Sequence, residues 1–186
     1  MSNSKYQVFD NFLEDPDEVL EYASTCQYFT AEEYLKINKL ESKGYWPGLR
    51  SNDLKLEFPD IVNQLNTQFN IKVGWLTFYQ HLVSQNLGEP VPHIDRAWDF
   101  SGVIYLKGSD GTWIDNEIVP FKYNRAVCFD AHIPHHPLHS TTDRLVLTFF
   151  SKYVYLRHIL SSLNIIFIIS VDFTCPLIYN TYYEIK

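Results

Sequence analysis

FSGVIYLKGSDGTW, residues 100–113, contains a strand signature, a turn and the start of a second strand. β-Branched and aromatic residues crowd its first half, and such side chains suit a pleated, half-buried surface. Gly108, Ser109, Asp110 and Gly111 then supply turn chemistry. The same alternation of apolar run and turn recurs on both sides. Residues 73–82 (VGWLTFYQHL), 125–130 (RAVCFD) and 144–150 (RLVLTFF) read as strands, with shorter candidates at 92–95 and 112–120. GEP at 88–90, KYN at 122–124 and TTD at 141–143 punctuate them. Several short strands separated by such signals predict an all-β sandwich or barrel.

The chain before residue 73 has a different pattern. Residues 6–12 (YQVFDNF) read as a short strand. Asp15 or Asp17 can cap a helix whose apolar positions include Val19, Leu20 and Tyr22. A loop-rich stretch follows, ending in GYWPGLRSND, where Pro47 and Gly48 punctuate. Residues 58–70 predict a second helix, with Pro59 in the first turn and Ile61, Leu65 and Phe69 spaced by four. The expected architecture is mainly β: a jelly-roll-like core over about 73–153 with helical support over about 1–72, together one domain. Residues 154–186 form an apolar extension. Asn164, Asp172 and Pro176 interrupt its apolar run, and a transmembrane helix needs about 20 uninterrupted residues, so it reads as a strand or helix packed on the core, with a membrane anchor or a poorly folded extension as the alternatives.

Bulk composition excludes several classes. Of 186 residues, 46% are hydrophobic and 20% charged, which suits a globular core and argues against disorder. The net charge of −7, without a Lys/Arg run, argues against a nucleic-acid partner. Cys26, Cys128 and Cys175 are odd in number and contain no CxxC pair, so they form no disulfide framework and suit the reducing cytoplasm. The N-terminal residues MSNSKYQVFD lack the basic and apolar regions of a signal peptide.

Two segments carry metal-binding chemistry. In EPVPHIDRAWDF (89–100), His93 and Asp95 stand at i and i+2, the spacing that puts two side chains on one strand face. FDAHIPHHPLHS (129–140) offers His132, His135, His136 and His139 as a third ligand. Two histidines and one carboxylate on one face of an ion leave the other face open, as non-haem Fe(II) oxygenases require. A closed zinc site would use four ligands, usually with cysteine, and Cys128 has no cysteine partner nearby. Taken alone, an HxD pair is as compatible with a solvated loop.

The order of these segments resembles the Fe(II)/2-oxoglutarate-dependent dioxygenases, in particular the prolyl-hydroxylase-like branch with its double-stranded β-helix. The resemblance spans about residues 75–150: an HxD, the GVIYLKGSDGT stretch, an FD…H segment, then an arginine opening an apolar strand. YQVFDNFLEDPDEVLEYA and WPGLRS also look like small phage and marine-bacterial members. The family pattern places an aspartate ahead of the distal histidine and a basic residue nine or ten positions after it. Here Asp130 precedes His135 by five and Arg144 follows it by nine, so the resemblance selects His135, with His136 as the alternative.

It further implies Fe(II), 2-oxoglutarate as cosubstrate, dioxygen, and ascorbate as accessory reductant. Arg144 would grip the far carboxylate of 2-oxoglutarate, since a guanidinium offers two parallel hydrogen bonds. Tyr105 matches a position whose hydroxyl meets that carboxylate in related hydroxylases. Tyr79 and Thr148 are further pocket candidates, Thr148 because it shares a strand face with Arg144 by period two. The implied activity is hydroxylation of a peptide side chain or small molecule, releasing succinate and carbon dioxide. Arg96, Trp98 and Asp99 could rim the site, and WPGLRS could form a lid with Arg50 facing an acidic group. The competing reading is a non-catalytic cupin-like binding protein or a structural β-sandwich.

Overall fold

The structure, a computed structural model, describes residues 5–38, 46–84, 90–139 and 141–153. The apolar run within 154–186 lies outside the described residues. The described residues form nine strands and three helices. The helices come early: α1 (Pro16–Thr25), α2 (Ala31–Ile37) and α3 (Pro59–Phe69). The strands are β1 (Tyr6–Phe9), β2 (Leu49–Arg50), β3 (Ile71–His81), β4 (Phe100–Lys107), β5 (Thr112–Ile114), β6 (Glu117–Val119), β7 (Ala126–Asp130), β8 (His135–Pro137) and β9 (Arg144–Tyr153). They form a six-stranded sheet, β1-β7-β4-β9-β3-β2, and a three-stranded sheet, β6-β5-β8, with antiparallel pairing throughout. The expected class, mainly β with N-terminal helices, is the observed one.

Alternation along the strands sorts the residues into two sets. Leu76 and Phe78 of β3, Ile104 and Leu106 of β4, and Leu145, Leu147 and Phe149 of β9 pack with Val19 and Ala23 of α1 and Ile61, Leu65 and Phe69 of α3. The intervening residues Tyr79, Tyr105, Val127, Phe129 and Val146 cluster instead with Ile114 and Val119 of the small sheet. Helices α1 and α3 therefore cover one face of the large sheet, while the small sheet and, through Ala31, α2 belong to the other.

Local chemistry explains the element ends. Of the two candidate caps for α1, Asp15 does the work: its side chain accepts from the Glu18 amide at 3.0 Å. Asn70 ends α3 in the left-handed conformation, φ 53°. Asn124 of the KYN turn also has positive φ, and its side chain exchanges two hydrogen bonds with the Leu13 backbone, tying the N-terminal segment to the core.

Three expectations need correction. The stretch expected to be loop contains α2 and β2; Thr30 and Glu33 form a capping box that stabilises a helix too short to show periodicity. Residues 112–120 are not one strand but a hairpin, because Asp115 and Asn116 both take positive φ, as a type I′ turn demands. Residues 92–95 are not a strand either: His93 makes an isolated bridge with His135, after which the chain turns.

Leu147 is fully buried at the centre of the large sheet, so Leu147→Ala is expected to destabilise the protein by about 2–5 kcal/mol, read as a lower urea midpoint.

Candidate metal centre

The HxD segment has few strand hydrogen bonds of its own, so its position is set by its contacts. His93 and His135 exchange both backbone hydrogen bonds, His93 N to His135 O at 3.0 Å and His135 N to His93 O at 2.9 Å. Two residues on, the Asp95 amide donates to Ala131 O at 2.8 Å, and the Asp95 carbonyl accepts from the Trp98 amide at 2.9 Å. The HxD segment thus lies against the histidine-rich segment, and three side chains converge.

His93, Asp95 and His135 each offer one ligand atom, and these atoms lie within 4.8 Å of one another. His135 Nε2 stands 3.2 Å from Asp95 Oδ2, and His93 Nε2 stands 3.9 Å from Asp95 Oδ1. The other three histidines go elsewhere. His136 follows His135 on β8, so its ring takes the opposite face and packs on Trp113 at 5.2 Å. His132 pairs with Asp130 at 3.1 Å, and His139 is exposed.

The tautomers follow from the partners. His93 Nδ1 is 3.0 Å from the Val91 carbonyl and His135 Nδ1 is 2.8 Å from the Ile133 carbonyl. A carbonyl only accepts, so each Nδ1 carries a proton, and each Nε2 is the atom turned toward Asp95. Ser101 Oγ donates to Asp95 Oδ2 at 2.6 Å and orients the carboxylate. With Nε2 deprotonated, two imidazole nitrogens and a buried carboxylate oxygen form a donor set that fits a divalent metal. Burial, then the neighbouring His135, lowers the His93 pKa to about 4. Burial opposes ionisation of Asp95, but His135, His93 and Ser101 outweigh it and hold the carboxyl below the ordinary carboxylate range.

These three residues line one side of a pocket that opens to solvent at its mouth. Arg144, Val146, Thr148 and Phe150, alternate residues of β9, form its floor. Arg144 is 2% exposed; one nitrogen donates to Thr112 Oγ1 at 3.3 Å, while Nε and Nη1 are buried without a hydrogen-bond partner among the described residues. Burial lowers its pKa. Thr148 and Tyr79 also line the pocket; the Tyr79 hydroxyl donates to the Pro47 carbonyl. Tyr105 is placed differently from expectation. It is not among the lining residues: its hydroxyl donates to Thr112 Oγ1 at 2.8 Å, and its ring supports the Arg144 guanidinium at 5.7 Å.

Of the residues expected at the rim, Trp98 packs on Phe150 at 5.8 Å and does not line the pocket. Arg50 and Trp46 of the WPGLRS segment do line it. Sequence reasoning missed Ser101 and Thr112. Thr112 lay within the GT turn already singled out; nothing in the sequence marked Ser101 as the partner of Asp95.

The fold is that of iron- and 2-oxoglutarate-dependent oxygenases. HygX from Streptomyces hygroscopicus, solved with nickel, 2-oxoglutarate and hygromycin B, is similar at TM-score 0.61 and 9% identity, covering 82% of this chain and 84% of that one. A prolyl hydroxylase from Trichoplax adhaerens, solved with a hypoxia-inducible-factor peptide, is similar at TM-score 0.53 and 15% identity, covering 80% and 84%. The epimerase SnoN of nogalamycin biosynthesis, solved with Fe3+ and α-ketoglutarate, is similar at TM-score 0.55 and 14% identity, covering 80% and 79%. No family profile matches the sequence, and no curated protein sequence does.

Two predictions follow from the site's geometry. Ser101→Ala is expected to weaken binding of Ni(II), a redox-inert probe, by about 10–100-fold in calorimetry, whereas His136→Ala leaves it unchanged. In metal-free protein, unfolded His93 takes up a proton near its ordinary 6.5, while the folded chain resists until about 4. Stability is therefore expected to fall as pH drops through that window, and His93→Gln flattens the slope of urea midpoint against pH.

Proposed function

We propose that this chain is an Fe(II)- and 2-oxoglutarate-dependent dioxygenase that hydroxylates a peptide side chain or a small molecule, with release of succinate and carbon dioxide. The observation that carries this reading is one pocket holding both a His–Asp–His donor set and, apart from it, the buried guanidinium of Arg144 with unpaired nitrogens. A buried cation of that kind calls for an anion, and the far carboxylate of 2-oxoglutarate is one that a guanidinium accepts with two parallel bonds.

His93, Asp95 and His135 would hold the iron. When bound, the metal couples oxidative decarboxylation of 2-oxoglutarate by dioxygen to oxidation of the substrate. The protein's own contribution is positioning. Nδ1 bonds to Val91 and Ile133 lock both imidazoles with Nε2 inward, and Ser101 fixes the carboxylate. Thr112, itself held by Tyr105, steadies Arg144 for the cosubstrate. Tyr79 and Thr148 wall the cosubstrate space, and Val103, Val146, Phe129 and Phe150 keep it poor in water. Of the similar structures, one was solved with hygromycin B and another with a hypoxia-inducible-factor peptide, which supports keeping both substrate classes. The cytoplasmic location expected from the cysteine pattern is part of this proposal; no helix among the described residues is long and apolar enough to cross a membrane.

The test is the weak visible band that forms when Fe(II) and 2-oxoglutarate are added without oxygen. The band is expected in wild type, absent in His93→Ala, Asp95→Ala and His135→Ala, and shifted to about 30-fold or higher 2-oxoglutarate concentration in Arg144→Gln, the cost of leaving a buried charge partner unmatched. In air, with ascorbate, succinate is expected to form from wild type alone. Absence of both the band and bound iron would return the chain to the binding or structural class.

A further inference from the structure

Arg50 is a second buried guanidinium in the same pocket. Its backbone is held on both sides: it exchanges hydrogen bonds with Phe29 at 2.9 and 2.8 Å and pairs with Tyr79 across β2 and β3. The side chain is caged by aromatic rings, its central carbon lying 4.6 Å from the Trp46 ring centre, 5.3 Å from Trp75, 5.5 Å from Phe150 and 5.7 Å from Tyr79. The residue is 7% exposed and lines the pocket, and Nε and Nη1 are buried with no hydrogen-bond partner among the described residues. Aromatic faces attract a cation but accept little from its in-plane N–H groups. The charge is therefore sheltered while its hydrogen-bonding capacity is left unspent, a costly state unless a ligand completes it.

Arg50 and Arg144 meet different groups. Arg50 rests against Trp75 and Phe150, while Arg144 opens β9, six residues before Phe150. Arg144 reaches toward Thr112 and Tyr105. The Arg50 end is the metal end: Ser101, which holds Asp95, is the cross-strand partner of Phe150.

We propose that Arg50 anchors the substrate through a carboxylate group, placing the apolar body of that molecule against Trp46, Phe129 and Phe150 beside the metal ligands. This assigns the substrate class as small or chain-terminal carboxylic acids. A planar carboxylate suits a guanidinium whose faces are covered by rings, because its in-plane N–H groups are what remain to bind. The assignment rests on the oxygenase reading above, in which Arg144 belongs to the cosubstrate.

The experiment compares wild type, Arg50→Gln, Arg50→Lys and Arg144→Gln, with folding checked by thermal unfolding. N-Acetyl-L-phenylalanine and N-acetyl-L-proline are titrated calorimetrically against their primary amides in protein loaded with Ni(II) and 2-oxoglutarate. Wild type is expected to bind at least one acid about 10-fold or more tightly than its amide. Arg50→Gln is expected to remove that preference, and Arg50→Lys to restore part of it, while the anaerobic Fe(II)–2-oxoglutarate band stays at the wild-type concentration dependence in both. Equal binding of acids and amides by wild type, acid preference retained in Arg50→Gln, or loss of the band in folded Arg50 variants would each overturn the assignment. If Arg50→Gln fails to fold, Arg50→Lys decides through the same preference and band. A wild-type protein that forms no band at all would refute the oxygenase reading instead, while the acid-to-amide comparison without 2-oxoglutarate would still judge Arg50.

Discussion

The two-residue period of β9 sets the constraint on which the rest of the molecule depends. The strand runs from Arg144 to Tyr153 between β3 and β4, so its backbone is satisfied on both sides. Leu145, Leu147 and Phe149 face the helices and build the main core. Arg144, Val146, Thr148 and Phe150 face the small sheet and line the pocket. A slip of one residue would exchange the two sets, driving a guanidinium into the core and leucines into the pocket. The same pairing that gains burial energy therefore fixes the position of the polar groups.

The metal centre depends on a second, smaller constraint. His93 and His135 belong to segments far apart in sequence, yet they exchange two backbone hydrogen bonds. Those bonds bring two imidazoles to ring centres 4.6 Å apart, over a carboxylate that is almost fully buried. Both Nδ1 atoms are committed to carbonyls, so both Nε2 atoms and the Asp95 carboxylate face one another as a set that could hold a divalent cation. The pocket beyond is mostly apolar, and the polar groups it holds are few and separately supported, as selective small-molecule sites tend to be.

How legible this was in the sequence varied with the physics of each element. Long strands and α3 were clear because periodicity accumulates over many residues: β4 and β9 began where the apolar runs began. Short elements were not. α2 has seven residues, and β5 and β6 have three each, so capping and turn chemistry at Thr30, Glu33, Asp115 and Asn116 carried signals that periodicity could not. Among the site residues, HxD spacing and the distance from His135 to Arg144 brought out a set that the fold does gather in one pocket. Tyr105 was placed in that pocket by resemblance, but its hydroxyl is spent on Thr112, a choice visible only once β4 and β5 are positioned.

By itself the sequence determined the strand faces, the mainly β class and the residue types able to bind a metal, because these depend on local period and side-chain chemistry. Only the tertiary structure decided which of four neighbouring histidines turns inward, that Ser101 holds Asp95, and that two buried arginines line one cavity. Those outcomes rest on hydrogen bonds and packing between segments tens of residues apart, and no local pattern encodes them.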